Sequence, residues 1–289
     1  MPNNVRAIMM MIAGMFFFTL GDLFLKLATT VMPLGMVMIA LGLGMSVLFM
    51  AMMARARIPL YQKSYFHHAL VMRSVGEMIG VVGMFIALAY APLSSVTAIM
   101  QSLPLVLTAM GALFLKEPVG VRRLSALIAG FIGVLIIIRP GMSGFDIFAS
   151  FTLIGVLGMA IRDFGTRILP SDISTLAVSF YGAVAITLTG FVIMIITNDW
   201  HMPDETGLYL SLALVIMASI GTIIVTNAIR LADMALVSPF RFSRVVFGVG
   251  AGILFLGESV DKMTLLGSAI VVGAGLYSWM REVTLAKAS

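Results

Sequence analysis

The segment Ser238-Pro239-Phe240-Arg241-Phe242-Ser243-Arg244 opens an apolar run that continues to Leu256. A helix would place Arg241 and Arg244, three residues apart, on one face. Both arginines lie inside a predicted membrane span, where a charge facing lipid costs about 2.5–3.5 kcal/mol. Such residues face a protein interior or a wet cavity, so either the arginines bind a substrate or they pair with acids on neighbouring helices.

Aromatic residues surround the first of these arginines. Phe240 and Phe242 flank Arg241, and Pro239 suits the first turn of a helix. A cavity wall that binds an anionic or flat, electron-rich solute needs these groups. We therefore predict that Phe240, Arg241, Phe242 and Arg244 bind substrate.

The composition is that of an integral membrane protein. Of 289 residues, 61% are hydrophobic and 11% are charged, against about 25% charged in soluble domains. The chain has no Cys, and its three histidines (His67, His68 and His201) fall in predicted loops. We expect no catalytic residue, no metal site and no cofactor, because an intramembrane enzyme needs a nucleophile with its base or a metal cluster.

About ten apolar runs reach the ~20 residues of a membrane-spanning helix. The predicted spans are 6–27, 34–54, 69–90, 94–115, 122–139, 147–168, 174–197, 207–231, 235–256 and 262–281.

Basic residues concentrate in alternate connections, which predicts the orientation. Arg55, Arg57 and Lys63 follow the second span, Lys116, Arg122 and Arg123 follow the fourth, and Arg281 and Lys287 end the chain. The connection 198–205 is acidic. The positive-inside rule therefore predicts that both termini are cytoplasmic. The net charge of +5 reflects this pattern, and we expect no nucleic-acid partner.

The chain repeats itself at an offset of 141 residues. Asp22 matches Asp163, Lys26 matches Arg167, and the Gly-x-Leu-Phe-Leu-x-Glu segment that ends at Glu117 recurs ending at Glu258. This predicts two five-helix halves, 1–141 and 142–289. Because five is odd, the second half is inverted. The predicted fold is an all-α integral membrane protein of ten transmembrane helices in two inverted five-helix repeats, an arrangement typical of secondary transporters.

These motifs resemble the drug/metabolite transporter superfamily in its ten-helix EamA-type branch. The resemblance rests on Asp-x-x-x-Lys/Arg in the first helix of each half, on Ala-Tyr-Ala-Pro-Leu-Ser-Ser-Val-Thr-Ala at 89–98, and on Leu-Phe-Leu-Lys-Glu-Pro at 113–118. The segment Ser-Pro-Phe-Arg-Phe at 238–242 resembles the Pro-aromatic-Arg-aromatic pattern of family members that carry S-adenosylmethionine, riboflavin and similar metabolites. The resemblance implies a metabolite transporter, although related members export amino acids.

Three further pairs of charges lie four residues apart within spans. Asp22 with Lys26 and Asp163 with Arg167 can each close on one helix. These pairs are either gates or local supports of the helix ends, and self-pairing favours support. Glu77, four residues after Arg73, is either a proton carrier or a counter-ion for Arg73, Arg241 or Arg244.

Other polar residues are predicted to line a cavity. Gln101 and Ser102, with Pro104 close behind, interrupt the fourth span, either as a polar lining or as a packing kink. Tyr181, Asn227 and Thr19 are the remaining intramembrane polar candidates. Gly76-x-x-x-Gly80 and Gly248-x-Gly250-x-Gly252 fit close helix packing.

We predict a secondary transporter of a small organic metabolite, amino-acid-like or nucleoside-like, working by alternating access in a bacterial-type inner membrane. Its partners are the metabolite and the lipid bilayer, and it is a monomer or a homodimer. The alternatives are an exporter of amino acids or drugs within the superfamily and, less favoured, a channel or a membrane receptor. The sequence has no ATP-binding motif.

Overall fold

The computed structural model describes residues 3–114, 121–139, 146–170, 172–231 and 238–286, and within them it contains helices and no β-strand. The α-helices are α1 Asn3–Ala28, α2 Leu34–Arg55, α3 His68–Tyr90, α4 Leu93–Met100, α5 Leu103–Phe114, α6 Val121–Ile138, α7 Ile147–Arg167, α8 Thr175–Thr197, α9 Glu205–Leu231, α10 Ser243–Leu256 and α11 Lys262–Ala286. Two 3-10 turns, Lys63–Phe66 and Ser238–Phe242, lie in connections.

Seven helical stretches of the described residues are long and apolar enough to cross a membrane. They are Val5–Ala28, Leu34–Arg55, His68–Tyr90, Leu93–Gly111, Ile147–Thr166, Thr175–Thr197 and Glu205–Val225, with Leu124–Ile138 and Lys262–Tyr277 as shorter apolar helices. Large apolar side chains such as Ile196 and Leu254 are more than three-quarters exposed. Lipid rather than water therefore covers these faces, as the composition predicts.

Two predicted spans are not single α-helices. The span predicted at 94–115 is divided into α4 and α5, because the Gln101 and Ser102 amides bond three residues back, to Ala98 and Ile99, at 3.2 and 2.9 Å. Pro104 then cannot donate a backbone hydrogen bond and lies in the first turn of α5. The span predicted at 235–256 has the 3-10 turn Ser238–Phe242 before α10, and 235–237 lie outside the described residues.

The chain forms two compact units. The first comprises residues 1–23, 90–153 and 217–289. In it, α6 packs against α11, where a Cβ on Gly133 would lie 3.0 Å from the Gly267 carbonyl oxygen. The α10 helix packs against α4, where a Cβ on Gly248 would lie 2.4 Å from the Thr97 hydroxyl. Gly248 therefore permits close packing, as predicted, whereas Gly250 has open space beside it.

The second unit comprises residues 24–89 and 154–216. Its α2 and α8 are antiparallel and in contact: a Cβ on Gly35 would meet the Gly190 carbonyl, and one on Gly42 would meet the Thr187 amide. The α3 and α7 backbones touch, since a Cβ on Gly158 would lie 2.1 Å from the Gly80 nitrogen. The close packing predicted for Gly76-x-x-x-Gly80 is confirmed.

Candidate functional site

The first unit contains two helix breaks at equivalent positions of the sequence repeat. The break between α4 and α5 is at Gln101 and Ser102, and the change from 3-10 turn to α10 is at Phe242 and Ser243, 141 residues later in both cases. Most of the predicted recognition residues lie at these breaks. Interrupted helices leave polar backbone and side-chain groups available inside a membrane, which is how many transporters build their sites.

The 3-10 turn directs the side chains of Phe240 and Phe242, on either side of Arg241, to different neighbours. Arg241 is half-buried. Phe240 packs against a cluster that includes Met11, Met15 and Val225. Phe242 is buried, and its ring packs so closely on Gly275 of α11 that a Cβ added to that glycine would collide with it. The aromatic neighbours of Arg241 thus pack in different directions, Phe240 toward α1 and α9 and Phe242 toward α11.

Arg244, in the first turn of α10, is held by α1. Its Nη2 and Nε donate to Asp22 Oδ2 at 2.6 and 3.2 Å. Its guanidinium also lies 5.4 Å from the centre of the Phe18 ring. The side chains of Arg244 and Asp22 are only 15% and 12% exposed. This is a nearly buried ion pair with an aromatic face beside the cation, which fixes the position of the guanidinium.

The polar residues at the α4–α5 break differ in their bonding. Ser102 Oγ donates to the Ile99 carbonyl at 2.7 Å, so its hydroxyl is occupied within the chain. Gln101 is 6% exposed. Its backbone amide donates to the Ala98 carbonyl, and its side-chain amide makes no hydrogen bond to another described residue. This side-chain amide can therefore exchange hydrogen bonds with water or with a ligand.

A carboxylate joins the end of α10 to the beginning of α4. Gly257 ends α10 in the left-handed conformation with φ 63°, which turns the chain back so that Glu258 reaches α4. Glu258 Oε1 accepts from the Leu93 amide at 2.6 Å, and Oε2 accepts from the Ser94 amide and hydroxyl at 3.1 and 2.8 Å. A negative charge at a helix N-terminus is stabilising, so Glu258 ties α10 and α4 together.

The second unit has its own cluster of charges, contributed by α3 and α7. Glu77 pairs with Arg73 at 3.3 Å and with Arg162 at 3.4 Å, and Arg162 also bonds Asp163 at 2.8 Å. Arg73 Nε and Nη1 are buried without a hydrogen-bond partner among the described residues. Glu77 is therefore a counter-ion for Arg73, one of the predicted alternatives, and also for Arg162.

The four-residue spacing predicts the contact between Arg73 and Glu77, whereas Asp22 has its ion-pair partner on another helix. Asp22 pairs with Arg244, and the Lys26 ammonium donates to the Leu88 carbonyl at 3.2 Å. Asp163 pairs with Arg162. The side chain of Arg167 lies outside the described part of the structure, so its pairing with Asp163 stays a prediction. Four-residue spacing identifies partners within one helix only, so it did not predict the ion pair that joins Asp22 to α10.

Three other predicted cavity residues have varied surroundings. Tyr181 donates its hydroxyl to the Leu60 carbonyl at 2.9 Å, and its ring packs edge-on against Tyr65. Thr19 is buried and donates to the Met15 carbonyl. Asn227 lies on an exposed face of α9. Tyr181 and Thr19 are therefore bonded within the protein, whereas Asn227 is accessible.

Two other features have little bearing on recognition. Among the described residues, no group of three His, Asp or Glu side chains could hold a metal ion. A cavity of about 290 Å³ lies between α2 and α8, but its walls are side chains such as Leu43, Val47, Phe180 and Leu188, with no charged residue. The charged and amide groups that can recognise a polar solute lie elsewhere.

Sequence reasoning missed the roles of Phe18 and Glu258. Phe18 precedes Asp22 by one helical turn, so its presence on the same face of α1 was available as a signal. The contact of Glu258 with α4 spans 165 residues of sequence, and no local pattern reports it. The recurrence of Glu117 at Glu258 in the 141-residue repeat was the available signal.

Comparison with known proteins indicates a transporter. The profile of the EamA-like transporter family matches residues 5–139 and, a second time, residues 147–279. The structure aligns with a solved crystal structure over 94% of this chain and 97% of the other chain. The TM-score is 0.62 and the sequence identity is 15%. This similarity supports the fold.

Curated relatives include transporters of different solutes. The chain is 24% identical over 207 residues to an S-adenosylmethionine uptake transporter of Rickettsia bellii, covering 72% of this chain and 70% of that protein. It is 29% identical over 188 residues to a riboflavin transporter of Vibrio cholerae, covering 64% and 62%. It is 27% identical over 209 residues to a pseudopaline exporter of Pseudomonas aeruginosa, covering 71% and 72%.

These relatives are transporters rather than enzymes, and the two profile matches together cover most of the sequence. The protein belongs to the EamA-like transporter family, within the drug/metabolite transporter superfamily.

Proposed function

We propose that this protein is a secondary transporter that moves a small organic metabolite by alternating access between two inverted five-helix halves, 1–141 and 142–289. The observation that carries the proposal is the pair of helix breaks 141 residues apart, with Gln101 at one and Arg241 at the other. The double match to the transporter family supports it. Paired helix interruptions in corresponding positions are the best sequence-level pointer to a transporter's binding site.

Within the first unit, each residue has a distinct role. Arg241 and Arg244 bind the anionic or carboxylate part of the solute. Asp22 and Phe18 hold Arg244 in position through the short ion pair and the ring contact. The side-chain amide of Gln101, which makes no hydrogen bond to another described residue, orients the solute by hydrogen bonding.

The remaining predicted residues have secondary roles. Phe240 supplies an apolar wall, and Phe242, buried against Gly275, shapes the turn. Ser102 stabilises the break through its own hydrogen bond, and the exposed Asn227 is an additional contact. Glu77 and Tyr181 support the interior of the second unit through Arg73, Arg162 and Leu60.

The cargo is an amino-acid-like or nucleoside-like metabolite. The cationic residues at the break suit a carboxylate, and similarity to transporters of S-adenosylmethionine and of riboflavin supports this size and class. The sequence has no ATP-binding motif, so an ion gradient, exchange or the solute gradient drives movement. The protein works in a bacterial-type inner membrane with both termini in the cytoplasm, as a monomer or a homodimer.

The test is thermal unfolding of the purified protein with a panel of amino acids, nucleosides, S-adenosylmethionine, riboflavin and organic acids. A ligand at 100 times its dissociation constant stabilises the folded state by about 2.7 kcal/mol through mass action. We expect a saturable rise of the unfolding temperature with one chemical class, and its loss in Arg241→Ala.

The matched control is Arg6→Ala, which removes an exposed arginine near the start of α1. It should keep the full ligand-dependent shift. An equal shift in Arg241→Ala and in Arg6→Ala would remove Arg241 from the binding site, provided that both variants unfold cooperatively without ligand.

A further inference from the structure

The connection between α2 and α3 has an exposed surface that the proposed transport function does not use. Its exposed bases are Arg55, Arg57 and Lys63, and the rings of Tyr61 and Phe66 are 69% and 67% exposed. The sequence contains no Asp or Glu between Asp22 and Glu77. These cations are therefore not neutralised by their own part of the chain.

Few other charged or titratable groups face this connection. His67 and His68 lie at its end with rings 4.1 Å apart. The α7–α8 connection packs against it through Ile173 and contributes one acid, the exposed Asp172. The net charge of the described groups around this connection is therefore positive, whether the two histidines are protonated or neutral.

Hydrogen bonds hold the connection in one shape. The Tyr181 hydroxyl donates to the Leu60 carbonyl at 2.9 Å, and the Tyr65 hydroxyl donates to the Pro59 carbonyl at 3.2 Å. The ring of Tyr65 is buried in a cluster with residues such as Met53 and Ile173. The exposed bases and rings therefore stand on a fixed backbone, so little conformational entropy is lost when a partner binds.

The same connection lies at a membrane surface. It joins Leu34–Arg55 to His68–Tyr90, both long and apolar enough to cross the bilayer, so it begins where the hydrocarbon ends. The rings of Tyr61 and Phe66 contact each other edge-on, with centroids 5.7 Å apart. Amphipathic rings such as that of tyrosine settle at the headgroup level of a bilayer, and juxtamembrane bases attract anionic lipids.

We propose that this basic-aromatic surface, formed by Arg55, Arg57, Tyr61, Lys63 and Phe66, binds an anionic phospholipid of the adjoining leaflet. The bases contact the headgroup phosphate, and the two rings pack against the glycerol and upper acyl region. A free anion would use the bases and leave the exposed rings in water. A phospholipid has both the charge and the apolar body that this surface fits.

The experiment compares spin-labelled phosphatidylglycerol with spin-labelled phosphatidylcholine around the protein in phosphatidylcholine bilayers. Each base near an anionic headgroup contributes up to about fivefold in affinity at low ionic strength. We expect the protein to prefer phosphatidylglycerol several-fold. The preference should fall with salt and disappear when Arg55, Arg57 and Lys63 are all replaced by Gln.

Three matched variants make the result specific. Arg6→Gln removes an exposed arginine elsewhere and should keep the preference. Arg55→Lys with Arg57→Lys retains the charge and should also keep it. Tyr61→Ser with Phe66→Ser should weaken the association of both lipids while leaving the charge selectivity. All variants must unfold at the temperature of the unmodified protein.

Three outcomes would overturn the proposal. They are equal association of the two lipids with the unmodified protein, retention of the preference in the triple Gln variant, and complete displacement of the labelled lipid by millimolar inorganic phosphate. The last outcome would assign the surface to a soluble anion.

Discussion

Replacing Glu77 with Gln should destabilise the protein substantially. The Glu77 side chain is 11% exposed and is the described acid within ion-pair distance of Arg73, while Arg162 retains Asp163. Removing one partner of a buried ion pair costs about 3–5 kcal/mol, because the remaining charge is left uncompensated. The distances of 3.3 and 3.4 Å are longer than the 2.7–2.9 Å of strong charged hydrogen bonds, so we expect about 3 kcal/mol.

The assay is thermal or denaturant-induced unfolding of the purified protein in one detergent. A loss of about 3 kcal/mol lowers the unfolding temperature by roughly 6–12 °C on the scale for chains of 150–250 residues. The double variant Arg73→Met with Glu77→Leu removes both charges and should be more stable than Glu77→Gln. The exposed acid Asp172 provides a matched control, and Asp172→Asn should change stability by less than about 0.5 kcal/mol.

Two results would refute the claim that the charge of Glu77 stabilises the α3–α7 cluster. If Glu77→Gln unfolds at the same temperature as Asp172→Asn, the cluster does not depend on the Glu77 charge. If the double variant is no more stable than Glu77→Gln, the loss comes from packing rather than from an unpaired Arg73, and the predicted coupling is absent.

Three further changes should alter stability in thermal or acid unfolding. Gly158→Ala forces a Cβ onto the Gly80 backbone at 2.1 Å and should cost about 1–3 kcal/mol, whereas Gly250→Ala should not destabilise. Glu258→Gln removes a charge from the first turn of α4 and should cost about 1 kcal/mol. Arg139 forms an ion pair with Asp261, and its hydrogen bond lowers the pKa of that carboxyl from 3.8 to about 2. The stabilisation from this pair is therefore full above pH 3.8 and is lost as pH falls through 2.

Controls for these three predictions come from the chain itself. A Gly158→Ala protein as stable as Gly250→Ala would mean that α3 and α7 can separate freely. Full stability in Glu258→Gln would mean that the carboxylate is not needed at α4. The Asp261 side chain is 52% exposed, so the stability gained from its charge is at most about 1 kcal/mol. The loss of unfolding free energy between pH 4 and pH 2 should therefore be smaller in Asp261→Asn than in the unmodified protein, by up to that amount. An equal loss in the two proteins would contradict the pairing of Asp261 with Arg139.

The all-helical, membrane-spanning character of the fold was predictable because lipid demands long apolar helices, and apolar runs of that length are visible in one sequence. The break at Gln101 was predictable from the polar pair followed by Pro104. The partner of Asp22 was not, because spacing of four residues points to Lys26 and the actual ion pair joins α1 to α10 across 222 residues. Tyr181 was predicted as a cavity residue from its polarity alone, and its bond to the Leu60 carbonyl depends on a loop whose path has no local signal.

The most direct test of the central claim is counterflow of the ligand identified by the stability panel, measured in proteoliposomes. The account predicts saturable uptake that is accelerated by unlabelled ligand on the opposite side, as in a carrier. Loss of one charged hydrogen bond is worth about 1.5–3 kcal/mol, so Arg241→Ala should reduce uptake at least about tenfold while Arg6→Ala transports normally. Normal counterflow in both Arg241→Ala and Arg244→Ala would contradict the account, because the helix break would then have no part in recognition.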